Sequence, residues 1–155
     1  MNGAQIATRL QEVYLSGKWI ANTNYLEQIN NLNWQQATQK INSLNSIASL
    51  VYHIKYYLEG LQIAFTQHQL TISDKFSFDM PSITNEADWQ HLKATFIQQA
   101  EVFIELVGKM DEDALAVPFI QEKYGSTWRN IEGVLEHSYY HLGQIVLLKK
   151  LLLKE

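Results

Sequence analysis

The chain has no cysteine among its 155 residues. That excludes disulfides and any thiolate metal site, and it fits a reducing cytoplasm without proving one, because a core of this size folds without crosslinks in any compartment. Proline occurs twice, as Pro81 and Pro118, and both fall in segments that read as links. Basic residues are few: 12 Lys and Arg against 16 Asp and Glu leave a formal charge of −4, which argues against the basic footprint of a nucleic-acid binder. No apolar run approaches the roughly 20 residues that span a bilayer. The longest, Ile145 to Leu153, is interrupted by Lys149 and Lys150 and suits a packed terminal helix. The N-terminal stretch lacks a basic start followed by an unbroken apolar core, so it does not read as a signal peptide. Also missing are a persistent apolar/polar alternation that would demand a sheet, an internal repeat and a low-complexity tract.

What remains is a hydrophobic content of 46%, sufficient for one domain over residues 1–155, arranged with helical periodicity. Four segments are expected. The first runs from about Gly3 to Asn31, with Gly17 inside it. The second starts near Trp34, is interrupted around Asn42 to Asn45, and continues as an amphipathic stripe from Ile47 through Ile54 and Leu61 to Phe65. The third opens at Thr84 or Asn85, both good N-caps, and stops at Gly108. The fourth follows Gly125, with Ser126 or Thr127 as cap, and carries Ile131, Val134, Leu142, Ile145 and Leu148. Residues Gln67 to Ile83 and Met110 to Tyr124 form links longer than a helical hairpin needs. Long links permit helix orders other than up-down-up-down.

Three histidines stand out. His137 and His141, in HSYYHLGQ, are four apart, so on a helix their Cβ atoms lie about 5–6 Å apart and both imidazoles can chelate one ion at about 2.0–2.1 Å. At about 100° per residue with Val134 at zero, His141 falls at about −20° and His137 at about −60°, inside the apolar arc. On the second segment, His53 lies at the margin of the buried stripe. A third imidazole from there completes an open, three-ligand site of the catalytic type. The competing reading is a core histidine hydrogen-bonded to a neighbour; His68 and His91 read as solvated.

LVYHIKYYLEGL together with WRNIEGVLEHSYYHLGQIVLLKK resembles the DinB/YfiT-like superfamily, and the likeness covers essentially the whole chain. The resemblance implies an all-α four-helix bundle in up-down-down-up order with long crossover links, often paired as a homodimer. It implies metal ligation by His53, His137 and His141, and a thiol-dependent transferase activity that uses zinc or nickel and a low-molecular-weight thiol cosubstrate. With no cysteine in the chain, a thiol nucleophile must come with that cosubstrate. A dication held by three neutral imidazoles keeps its full charge, so it can also lower the pKa of bound water toward about 7 and support hydrolysis. The zinc-protease glutamate of H-E-x-x-H is absent, its place taken by Ser138. Residues expected around the site are Gln144, able to orient a ligand, Tyr57 and Tyr140, able to line the mouth or donate a proton, and Asn24, which either reaches the pocket or satisfies backbone groups. The expectation is a cytoplasmic metal-dependent transferase or hydrolase acting on a small-molecule substrate. The alternative is a non-catalytic dimeric helical bundle with a structural or vestigial metal site.

Overall fold

The computed structural model describes residues 2–154, and among these there is no strand, only an isolated bridge between Pro118 and Ser126. Seven α-helices follow one another: α1 (Gly3–Gln11), α2 (Tyr25–Ile29), α3 (Trp34–Thr38), α4 (Ile47–Gln67), α5 (Glu86–Gly108), α6 (Glu112–Ala116) and α7 (Thr127–Leu153). Each begins at Asn, Ser or Asp: Asn2, Asn24, Asn33, Ser46, Asn85, Asp111 and Ser126 all accept the N3 amide on their side chain. A short polar side chain there satisfies a helix donor that has no internal partner. Asn85 and Ser126, two of the caps expected from the sequence, are the ones used.

The first expected segment does not run through. α1 continues as a π turn over Glu12–Ser16, where the Gly17 amide reaches the Glu12 carbonyl, and Gly17 then leaves in an extended conformation. Asn22 takes a left-handed conformation at φ 55°, and Asn24 caps the separate helix α2. Gly17 and the asparagines that follow are therefore a stop and a start, where the apolar spacing alone suggests continuity. The second link also holds structure: α6 and a 3-10 turn at Glu122–Tyr124, with the extended Val117–Phe119 piece bonded back to Thr127 and Gly125.

The four long elements enclose a single core cluster that includes Leu10, Tyr14, Ile54, Leu58, Phe96, Phe103, Leu135 and Ile145. α5 packs on α1 and on α4, α4 packs on α7, and α7 closes back on the π turn and α2. Contacts between rings and along cavity walls give the directions. Gly3 lies against the Val107 carbonyl and Tyr14 against Phe96, so α1 runs opposite to α5. Phe65 stacks on Phe103, while Tyr52 and Leu92 line one cavity, so α4 and α5 run the same way. Parallel neighbours need a returning connection. The first link supplies it by running back along α4: Ile72 sits on Gly60, Ser73 on Tyr56, Asp74 on Tyr57 and Phe78 on His53. At Gly60 a Cβ would come within 2.1 Å of Ile72 Cγ2, so the absent side chain lets the link lie close.

The rotation of α7 is fixed by a buried polar knot. Ser138 is completely buried. Its hydroxyl donates to the Val134 carbonyl at 2.7 Å and accepts from the Tyr14 hydroxyl at 2.6 Å, and its carbonyl accepts from the Tyr25 hydroxyl at 2.9 Å. All three groups are satisfied, as burial requires. Ser138→Ala leaves the Tyr14 hydroxyl without its acceptor, and urea unfolding is expected to show a loss of about 1–3 kcal/mol. Tyr14→Phe in the same background should recover part of that loss; an unchanged urea midpoint in Ser138→Ala would contradict the role given to the knot.

Candidate metal centre

His53 stands in the middle of α4, and His137 and His141 occupy successive turns of α7. The antiparallel packing of α4 on α7 brings the three together. His137 Nε2 lies 3.2 Å from His53 Nε2 and 2.8 Å from His141 Nε2, and one nitrogen from each ring falls within a group 4.8 Å across. The rings meet edge to face, at interplanar angles of 74°, 76° and 73° for the three pairs. Edge-to-face packing turns the nitrogens toward a common point instead of stacking the rings over one another.

The residues present fit a divalent ion. Three nitrogens held at 2.0–2.1 Å by a tetrahedral ion stand about 3.3–3.4 Å apart; the two spacings to His137 fall short of that by about half an ångström at most and the whole group stays within 4.8 Å, so side-chain rotations bring the three nitrogens to ligating distance. The donors are also in a ligating state. Burial comes first in holding His53 and His137 neutral, pushing both down to about 4, and the neighbouring imidazoles add to it. Asp74 opposes the shift at both rings. Burial likewise lowers His141, against the pull of Gln144. Gln144 Oε1 lies 2.7 Å from His141 Nδ1; because an amide oxygen only accepts, His141 carries its proton on Nδ1 and presents a lone pair at Nε2. His53 Nδ1 is buried without a hydrogen bond. The Ser77 backbone is close enough to favour the protonated ring, but not in bonding geometry.

The expected neighbours fall in different places. Tyr57 sets its ring edge-on to His53 and His137, at 5.0 and 5.3 Å between centroids, and donates its hydroxyl to Asp74 Oδ1 at 2.6 Å. Burial and that carboxylate push its pKa up to about 12. Tyr140 sets its ring edge-on to His141, at 4.9 Å between centroids, and is largely exposed. Asn24 is committed to the backbone, accepting from the Glu27 amide and donating to the Gly17 carbonyl, so the backbone-satisfying alternative is the one the structure holds. Glu136 is exposed and paired with Arg129, away from the histidines. His68 ends α4 in a left-handed conformation, and it and His91 are exposed.

Two residues of the site wall carry no local signal in the sequence. Phe78 stacks flat on His53, with centroids 4.1 Å apart and planes 11° from parallel, and Asp74 holds Tyr57. Both come from the first link and reach the site only because it runs back along α4. On the other side His137 opens into a cleft of about 570 Å³ between α4, α7 and both links. Among the described residues no fourth His, Cys, Asp or Glu joins the cluster. No helix among them is long and apolar enough to cross a membrane. No protein-family model, curated protein or solved structure matches the chain.

The depressed histidines make the metal-free protein pH-sensitive in a defined direction. The unfolded chain protonates these rings at about 6.5, whereas His53 and His137 in the fold resist until about 4. Their contribution to stability is complete above the upper value, is lost as the pH falls toward the lower one, and then levels off. Urea midpoints of chelator-treated protein should therefore decline across that window. His137→Gln, which cannot titrate, should flatten the decline, and an equal slope in both proteins would refute the assignment.

Proposed function

We propose that the chain is a divalent-metal-dependent enzyme of the DinB/YfiT-like kind, with His53, His137 and His141 as ligands and zinc or nickel as the ion. The observation that carries this reading is that three neutral imidazoles converge at the head of an open cleft. The helix directions support the matching architecture, a four-helix bundle of α1, α4, α5 and α7 in up-down-down-up order, since α4 and α5 are the parallel pair and the link between them is the one that must run back.

When bound, the ion supplies Lewis acidity, which activates either a water for hydrolysis or a low-molecular-weight thiol for transfer. The chain's own groups do the rest. Gln144 Oε1 holds the His141 tautomer. Phe78 covers one face of His53 and keeps water from it. The Tyr57 hydroxyl and Asp74 form a hydrogen-bonded couple at the cleft wall, with the carboxylate exposed to solvent. Such a couple can accept a proton at Asp74 and pass it outward.

The second reading, a non-catalytic dimeric bundle whose metal is structural or vestigial, has one feature in its favour. Tyr140, Leu147 and Leu151 are exposed along α7, with Leu44 nearby, and an apolar stripe of this kind suits a second copy of the chain. A homodimer is compatible with both readings, and sedimentation equilibrium decides it: Leu147→Lys/Leu151→Lys should return a dimeric parent to monomer, and a monomeric parent would remove the dimer from either reading.

Metal content measured by inductively coupled plasma mass spectrometry tests the ligands. Tag-free protein purified without chelator should carry about one equivalent of zinc or nickel, as expected of a three-imidazole site, and His137→Ala/His141→Ala should lose it. A parent that is metal-free and takes up neither added ion would overturn the proposal. A metal-loaded parent that turns over neither thiol-transfer nor ester substrates would favour the non-catalytic bundle.

A further inference from the structure

The cleft beside His137 has a shape and a charge layout of its own. One wall is a strip of α7 on which Arg129, Gly133 and His137 follow at intervals of four residues, so the ends of the strip lie about 12 Å apart along the helix. Gly133 sits midway, and a Cβ built there would meet nothing within 4 Å. The middle of the strip is therefore bare backbone facing open space. Opposite it the lining is apolar, with Leu61 from α4, Leu70 and Ile72 from the first link and Phe119 from the second. Such a trough accepts a hydrocarbon body a few atoms wide.

Charge divides along the trough. At the His137 end stands Asp74, the carboxylate that acts on both His53 and His137. Arg129 is rooted at the other end, with Tyr124 beside it and Lys123 Nζ over the Tyr124 ring at 4.8 Å, and its guanidinium reaches back along the helix toward Glu136. Arg129 Nη1 bonds Glu136 at 3.2 Å in a solvent-exposed pair. Its guanidinium has five N–H donors in a planar fork, so that single contact leaves capacity for a second, bidentate partner. The Asn130 amide donates to the carbonyls of Tyr124 and Ser126 and holds this rim together.

We propose that the cleft is the substrate channel and that it takes an amphiphilic carboxylate, with the apolar body lying over Gly133, the carboxylate on Arg129 and the reacting end at His137. The assignment of the reacting end rests on the metal-site reading. The seat for the carboxylate does not, and the two can fail separately.

The test is isothermal titration calorimetry of chelator-treated full-length protein with octanoate and with its neutral counterpart octanamide, so that no ion competes for the carboxylate. Octanoate is expected to bind one site. Arg129→Gln should weaken octanoate about two- to fivefold, the range for a solvent-exposed ion pair, and leave octanamide unchanged. Gly133→Leu adds a helix-favouring residue into open space, and should abolish binding of both probes while retaining the parent's melting temperature and metal content. The proposal is overturned if octanoate gives no saturable heat, if Arg129→Gln affects both probes alike, or if Gly133→Leu still binds octanoate. If Gly133→Leu fails to fold, the exposed Arg129→Gln still decides. Octanoate binding to a protein that takes up no metal would leave the seat standing and remove the ion. Metal uptake without octanoate binding would do the reverse.

Discussion

The knot at Ser138 is the constraint from which the site follows. On a helix, neighbouring residues point about 100° apart, so fixing one side chain fixes the directions of all the others. Ser138 faces the hydroxyls of Tyr14 and Tyr25 on the first third of the chain. That orientation leaves His137, one residue earlier, and His141, one turn later, directed at α4. A second tie from α7 to the same region, Lys149 donating to the Gln28 carbonyl at 2.9 Å, acts in the same sense near the C-terminal end. The two histidines are thus aimed by hydrogen bonds on an adjoining face of their own helix, about 60° and 100° round from them.

Polarity around the histidines is rationed. The rings are packed by each other, by Tyr57 and by Phe78, all aromatic, and the one carboxylate that acts on both His53 and His137 is Asp74. A dry surround keeps imidazoles neutral, and a neutral imidazole offers its lone pair to a cation at no cost in displaced protons. The same surround leaves His53 Nδ1 without a hydrogen bond. Unmet polar atoms are uncommon in cores, and here the unmet atom belongs to the histidine most enclosed by link residues.

What was legible in the sequence follows from the range of the forces involved. The starts of α5 and α7 were readable because a cap acts over three residues, and the inward aim of His137 and His141 because helical periodicity is local. The third histidine was readable from its place at the margin of the α4 stripe, and the resemblance added the ligand set, since nothing near His53 marks its partners. Apolar spacing hides the break at Gly17 because it resumes at Tyr25, and Asn24, inside the first expected segment, in fact begins a helix. Asp74 and Phe78 were illegible for a different reason: their roles depend on the direction in which a link runs, a property of how α4 and α5 pack. Arg129 looks like any exposed helical arginine until Gly133 and Phe119 are seen to form a trough beside it.

His53 and His137 are 84 residues apart in the chain and 3.2 Å apart in the fold. Their contact closes a loop of more than half the molecule, and anything that binds both rings closes it more firmly, because tying distant points together removes conformations chiefly from the unfolded chain. In a protein without cysteine, an ion held by the histidine cluster would be the counterpart of a disulfide: a clasp between α4 and α7 set by ion supply instead of by redox state, and one that could be undone without chemical reduction.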